Sequence, residues 1–151
     1  METRKHEYQI ELPREAEEVF AILHTPSAIR QWWSADRAIV IAREGGIWAA
    51  AWGESEDNSD YVSSARIARF EPPTRIALTD FIYYSKYGPL PFKADLVTEF
   101  IVERTATGSI LKVVQDGFPV DKVADDFYAG CEKGWRDTFE GIRRYLMDSN
   151  N

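Results

Sequence analysis

One cysteine, Cys131, two histidines, His6 and His24, and no basic run longer than two or three residues set the first limits on this 151-residue chain. A single cysteine excludes an internal disulfide and suits a reducing compartment. With so few soft ligands, and with neither an HExxH nor a CxxC pattern, no zinc site is expected. The formal charge of -7 speaks against a nucleic-acid partner, because phosphate-backbone binding relies on a clustered basic surface. No apolar h-region follows Met1 to His6 and no run approaches a membrane span, so a cytoplasmic chain without a membrane partner is expected. Glycine-rich phosphate loops and a GxSxG elbow are missing too, and no cofactor is expected.

Aromatic residues are plentiful, at 13% of the chain with five tryptophans. A chain of this length is expected to form one domain over residues 1–151, burying roughly 68 to 70% of the surface its unfolded form exposes. Glu7 to Leu12 alternates apolar and polar residues with the period of a half-buried strand. Pro13 then opens a short helix in which Ala16, Val19, Phe20 and Leu23 recur at helical spacing, ending near His24. A second helix is expected from Pro26 through Trp33, with Thr25 as its N-cap. From Arg37 onward the texture is β-branched and aromatic, interrupted by turn clusters. It predicts a meander of six strands: Arg37 to Ala42, Ile47 to Gly53, Tyr61 to Phe70, Arg75 to Tyr83, Ala94 to Arg104, and Ser109 to Gln115. Glu54 to Asp60 reads as a solvated acidic turn without EF-hand spacing. Tyr84 to Phe92 reads as a loop unusually rich in apolar residues.

A long helix is expected from about Asp121 to about Met147. Phe127, Tyr128, Cys131, Trp135, Thr138, Phe139, Ile142, Tyr145 and Leu146 fall within one apolar arc, opposite Glu132, Lys133, Arg136 and Glu140. Gly130, Gly134 and Gly141 lie along one flank. Each weakens a helix by about 1 kcal/mol relative to alanine, so a strand or a ligand is expected to approach there, with close packing against the sheet the favoured reading.

This order of elements resembles the START-like (SRPBCC) helix-grip superfamily, and within it the branch of activators of the heat-shock protein 90 ATPase. The likeness rests on Glu15 to Leu23 (EAEEVFAIL), Pro26 with Trp32 and Trp33, and the Gly45-Gly46 turn before an aromatic strand. It continues through Phe70 to Ile76 (FEPPTRI), Gly117 to Pro119, and Gly134-Trp135 followed by Phe139 and Tyr145-Leu146. The resemblance implies an α+β helix-grip fold: a seven-stranded curved antiparallel sheet, two short helices between strands 1 and 2, and a long C-terminal helix over a pocket. Known members bind lipids, sterols or polyketides, catalyse cyclisation or dehydration, or dock to a chaperone, so the shared fold leaves the chemistry open. Two features depart from the family pattern. Asp80 stands where an aromatic residue is frequent, and Trp48 to Trp52 (WAAAW) places two indoles on one strand face.

Strand alternation puts Leu78 with Asp80 and places Phe100 and Gln115 on apolar rows, which makes Asp80 and Gln115 candidates for the polar groups of a greasy pocket. The alternative is that both lie at strand ends and reach water. Trp33, Trp48, Trp52, Tyr83, Phe92, Phe127, Cys131 and Trp135 complete the expected ligand-binding set. Of the adjacent Trp32 and Trp33 only one can bury fully, leaving the other to guard the cavity entrance with Tyr83, Tyr84, Tyr87 and Phe92. His24 is a weak candidate for acid–base work beside Asp80 and Gln115, though an imidazolium at a helix C-terminus also complements the dipole. Cys131 is expected to act as a small hydrophobe. The favoured expectation is a protein that binds a small apolar or aromatic molecule. A cyclase-, dehydratase- or hydrolase-like enzyme and a chaperone-interacting module are the rivals, and a homodimer is compatible with all three.

Overall fold

The computed structural model describes residues 2–148. Strand β1 (Thr3–Leu12) leads through helices α1 (Ala16–Ile22) and α2 (Pro26–Trp32) into a meander of β2 (Arg37–Val40), β3 (Ile47–Trp52), β4 (Tyr61–Glu71), β5 (Arg75–Ser85), β6 (Val97–Thr105) and β7 (Gly108–Pro119). A 3-10 turn at Lys122–Ala124 precedes helix α3 (Asp125–Asp148). All strand pairs are antiparallel, and the sheet order is β1-β7-β6-β5-β4-β3-β2. The two short helices therefore carry the chain from one edge of the curved sheet to the other, as the order of elements predicts.

Several boundaries differ from the sequence expectation for identifiable reasons. β7 runs past Gln115 because Asp116 and Gly117 form a bulge opposite β1, after which pairing resumes at Phe118 with Arg4. Gly117 has φ +100, and an added Cβ would lie 2.3 Å from the Asp95 carbonyl oxygen, so only glycine fits this backbone. β5 continues to Ser85, which puts Tyr84 in the strand. Thr25 makes no capping bond. Its hydroxyl instead donates to the Ala21 carbonyl at 2.7 Å, one turn back in α1. Asp121 precedes the 3-10 turn rather than α3 itself, and its side chain makes no cap bond.

The core lies between the inner sheet face and the helices. Val19, Leu23 and Ile29 of the short-helix region meet Ile67, Ile76, Leu111 and Val113 of the sheet, all fully buried. Helix α3 does not seat evenly on this core. Its fully buried side chains, Phe139, Ile142 and Leu146, all belong to the C-terminal half. Each contributes about 1.5–3 kcal/mol by leaving water. At its other end the helix is tied to β1, where Tyr128 stacks on His6 at 3.8 Å and gives its hydroxyl hydrogen to the Lys5 carbonyl at 2.7 Å. Arg4 sits over the same ring and pairs with Asp125 at 2.6 Å. The middle of the helix, around Cys131 and Trp135, spans the distance between these supports.

The glycine flank of α3 has a different cause from the expected packing against the sheet. Gly141 meets α2, where an added Cβ would stand 2.4 Å from the Trp32 carbonyl oxygen. Around Gly130 and Gly134 there is open space. Gly141→Ala should thus destabilise the protein by about 1–3 kcal/mol through backbone overpacking. Gly130→Ala should stabilise it by up to about 1 kcal/mol through helix propensity alone. Denaturant midpoints of the two variants check this opposition of sign.

Candidate functional site: a cavity beneath the spanning helix

The middle stretch of α3 roofs a partly open cavity of about 200 Å³. Phe127, Cys131, Gly134, Trp135 and Thr138 form the roof. Their spacing of three, four and seven residues keeps them on one helix face. The floor is the inner face of the sheet: Trp48 from β3, Ser63 from β4, Leu78, Phe81 and Tyr83 from β5, Thr98 and Phe100 from β6, and Gln115 from β7. Leu96 and Trp33 close the sides.

The tryptophans divide as their adjacency requires. Trp32 is buried, with Nε1 donating to the Ile22 carbonyl at 2.9 Å, while Trp33 turns to the cavity. Trp48 packs inward with Ala50 on the same strand face, and its indole N–H reaches the Leu23 carbonyl at 2.9 Å. Trp52 follows on that face but does not line the cavity. It meets Trp33 edge-on at 4.8 Å between centroids and so backs the wall. Phe92 plays a similar part, packing edge-on against Phe127 at 5.4 Å.

Asp80 is not part of the cavity, which corrects the alternation argument. Between Thr79 and Ile82 the chain places two residues, Asp80 and Phe81, opposite Ala65 alone, and Asp80 takes φ +53. The bulge shifts the parity of β5. Leu78 points inward before it, and Phe81 and Tyr83 point inward after it. Asp80 is left in solvent, paired with Arg66 at 2.7 Å. Tyr84 and Tyr87 also stand outside, largely exposed, instead of guarding an entrance.

His24 does not line the cavity either. Its ring lies edge-on to Phe20 at 5.4 Å and to Phe70 at 5.2 Å. Desolvation there holds its pKa below the ordinary 6.5. This partial burial works against the imidazolium expected at the helix end.

Gln115 is where the polar reading holds. The side chain is buried, accepts a hydrogen bond from Trp135 Nε1 at 2.7 Å and donates to Thr98 Oγ1 at 3.2 Å. This chain of bonds connects the sheet to the middle of α3. Ser63, also buried, offers a hydroxyl to the same cavity. Cys131 and Tyr83 are the titratable groups of the lining. Burial pushes the Cys131 thiol from 9.0 to about 11, and burial, followed by the nearness of Tyr61 and Cys131, raises Tyr83.

Phe81, Leu96, Ser63, Thr98, Gly134 and Thr138 line the cavity without having been expected as site residues. Phe81 was hidden by the bulge. Gly134 was signalled by the glycine flank, whose open space here belongs to the site. A larger open groove of about 710 Å³ runs between α2 and α3, bordered by Gln31, Ser34, Asp137, Arg144 and Tyr145. Trp33, Gly134 and Thr138 border both spaces. Among the described residues no group of three or more His, Cys, Asp or Glu is placed to hold a metal ion. No helix of the described residues is long and apolar enough to cross a membrane.

Comparison with known proteins places this geometry in context. The family described as "Activator of Hsp90 ATPase homolog 1-like protein" matches residues 13–147. Protein MLL2253 from Mesorhizobium loti superposes with a TM-score of 0.78 at 19% identity, covering 96% of this chain and 98% of its own. Protein NE0264 from Nitrosomonas europaea gives 0.77 at 16% identity, over 97% and 96%. DynU16, from the dynemicin biosynthetic locus, gives 0.75 at 15% identity, over 95% of this chain and 47% of its own. At these identities the likeness is one of fold. None of the curated proteins compared with the chain matches it.

Two measurements check the electrostatic account. The unfolded chain protonates His24 near 6.5 and the folded chain only at lower pH, so folding stability should fall as pH drops through that window. In His24→Gln that part of the slope should vanish between pH 7 and 5. Raising the Cys131 thiol from 9.0 to about 11 makes its thiolate about a hundredfold scarcer near neutrality. Alkylation by iodoacetamide should therefore be slow at pH 7 and climb steadily up to pH 10.

Proposed function

Because the chain belongs to the family of activator of Hsp90 ATPase homolog 1-like proteins, we propose that it is a ligand-binding member whose site is the cavity beneath α3, occupied by a small apolar or aromatic molecule. The observation that carries this reading is the partly open space of about 200 Å³ with a mostly aromatic and aliphatic lining and a few polar groups. Interiors normally pack with few voids larger than a water molecule. An apolar cavity of about 150 Å³ is enough to hold benzene. One ring with a short substituent matches the size here. Trp33, Trp48, Leu78, Tyr83, Phe100, Gln115, Phe127, Cys131 and Trp135 are the proposed contact residues, with Trp52 and Phe92 supporting them from behind.

The character of the lining favours binding over acid–base turnover. Tyr83 and Cys131 are both pushed upward and stay protonated near neutral pH. Asp80 and His24 lie outside. A ligand in the cavity would meet hydrogen-bonding groups and hydrophobic walls, with no carboxylate or imidazole positioned to move a proton.

Native mass spectrometry of the protein purified from its own cells tests the proposal. A co-purifying compound of one-ring size, released on denaturation, is the expected result. A protein that stays at its bare mass and whose tryptophan fluorescence is unmoved by small aromatics would refute it. The groove between α2 and α3 supplies the approach, since Gly134 borders both spaces. Gly134→Leu should slow ligand association and release by severalfold in stopped-flow traces while leaving folding stability equal or higher, because leucine is the better helix former.

A further inference from the structure

A single hydrogen bond determines what the polar wall of the cavity presents. An indole N–H donates and never accepts, so the 2.7 Å bond from Trp135 obliges Gln115 to turn its amide oxygen toward α3. The amide nitrogen then faces the other way, where it donates to Thr98 Oγ1 at 3.2 Å. That bond uses one of the two amide N–H groups. It also occupies a lone pair of the threonine oxygen and leaves the hydroxyl hydrogen to be directed elsewhere. Among the described residues, no acceptor takes the second amide N–H or the Thr98 hydroxyl hydrogen. Both side chains are about 6% exposed and both line the cavity.

A buried donor without an acceptor carries a desolvation cost, and an amide N–H cannot change roles as a hydroxyl can. The cavity lining holds no lysine or arginine to neutralise a carboxylate. An anionic ligand would therefore be buried unpaired, which is costly. A ligand whose only polar group is itself a donor would leave that amide N–H unpaired. We infer that the cavity selects a neutral molecule bearing a hydrogen-bond acceptor on an apolar or one-ring aromatic frame. Simple carbonyl compounds fit best, with the carbonyl oxygen accepting from Gln115 Nε2. This specificity rests on the reading of the cavity as a ligand site, and the two can be separated by experiment.

Acetophenone and α-methylstyrene share size and shape and differ in a carbonyl oxygen against a methylene group, so calorimetric titration of the wild-type protein with each reads the wall directly. Acetophenone should bind about five- to tenfold more tightly, the value of one net hydrogen bond. In the double variant Gln115→Met with Trp135→Phe, which removes both role-locked donors, that preference should collapse while α-methylstyrene still binds, showing that the cavity persists. Equal affinities in the wild type would overturn the acceptor specificity and leave the ligand site standing. A preference that survives in the double variant would overturn the assignment to Gln115. Binding of neither compound up to its solubility would overturn the ligand site, and this inference with it.

Discussion

Helix α3 is anchored at its two ends and tied to the sheet through Trp135 at its middle, and the cavity lies beneath that middle. Toward the C-terminus, Phe139, Ile142 and Leu146 sink into the core, and Gly141 lets the helix meet the Trp32 carbonyl. Toward the N-terminus, Tyr128 is stacked on His6 and Asp125 is paired with Arg4. With both ends fixed against a curved sheet, a straight helix cannot follow the curve, and the space below its centre stays open. Of the side chains of α3 that face this space, Phe127, Cys131 and Trp135 are only partly buried.

The bridge from Trp135 through Gln115 to Thr98 crosses the open span. It gives the middle of α3 a polar tie to β7 and β6 beside the edge-on packing of Trp135 against Phe100. The tie also fixes how the amide faces, with its oxygen toward α3 and its nitrogen toward Thr98. The proposed acceptor selectivity thus rests on the same pair of hydrogen bonds that ties the helix to the sheet. The aromatic surplus of the composition finds its place around this bridge, with Trp33, Trp48, Phe81, Phe100 and Phe127 forming the walls.

The fold was legible in the sequence because period-two runs and one long apolar arc depend on local spacing, and the order of elements agrees with the helix-grip family. The site was legible only in part. Gln115, Leu78 and Phe100 followed from alternation along unbroken strand segments. Asp80 did not, because a bulge inverted the faces of β5, and the run from Phe81 to Tyr84 is apolar in either parity. Aspartate tolerates positive φ better than most residues, which is a faint signal that alternation alone cannot use. The lowered pKa of His24 comes from burial, to which Phe70, 46 positions away, adds a ring edge-on at 5.2 Å.

The account's central claim is that the space beneath α3 is a preformed ligand site. A crystal structure of the protein soaked with a brominated one-ring aromatic tests it most directly, through the anomalous signal of bromine. The account predicts a bromine peak enclosed by Leu78, Phe100, Cys131 and Trp135, with the backbone of α3 unmoved. A structure with α3 collapsed onto the sheet, or with bromine bound only at the outer surface, would contradict it.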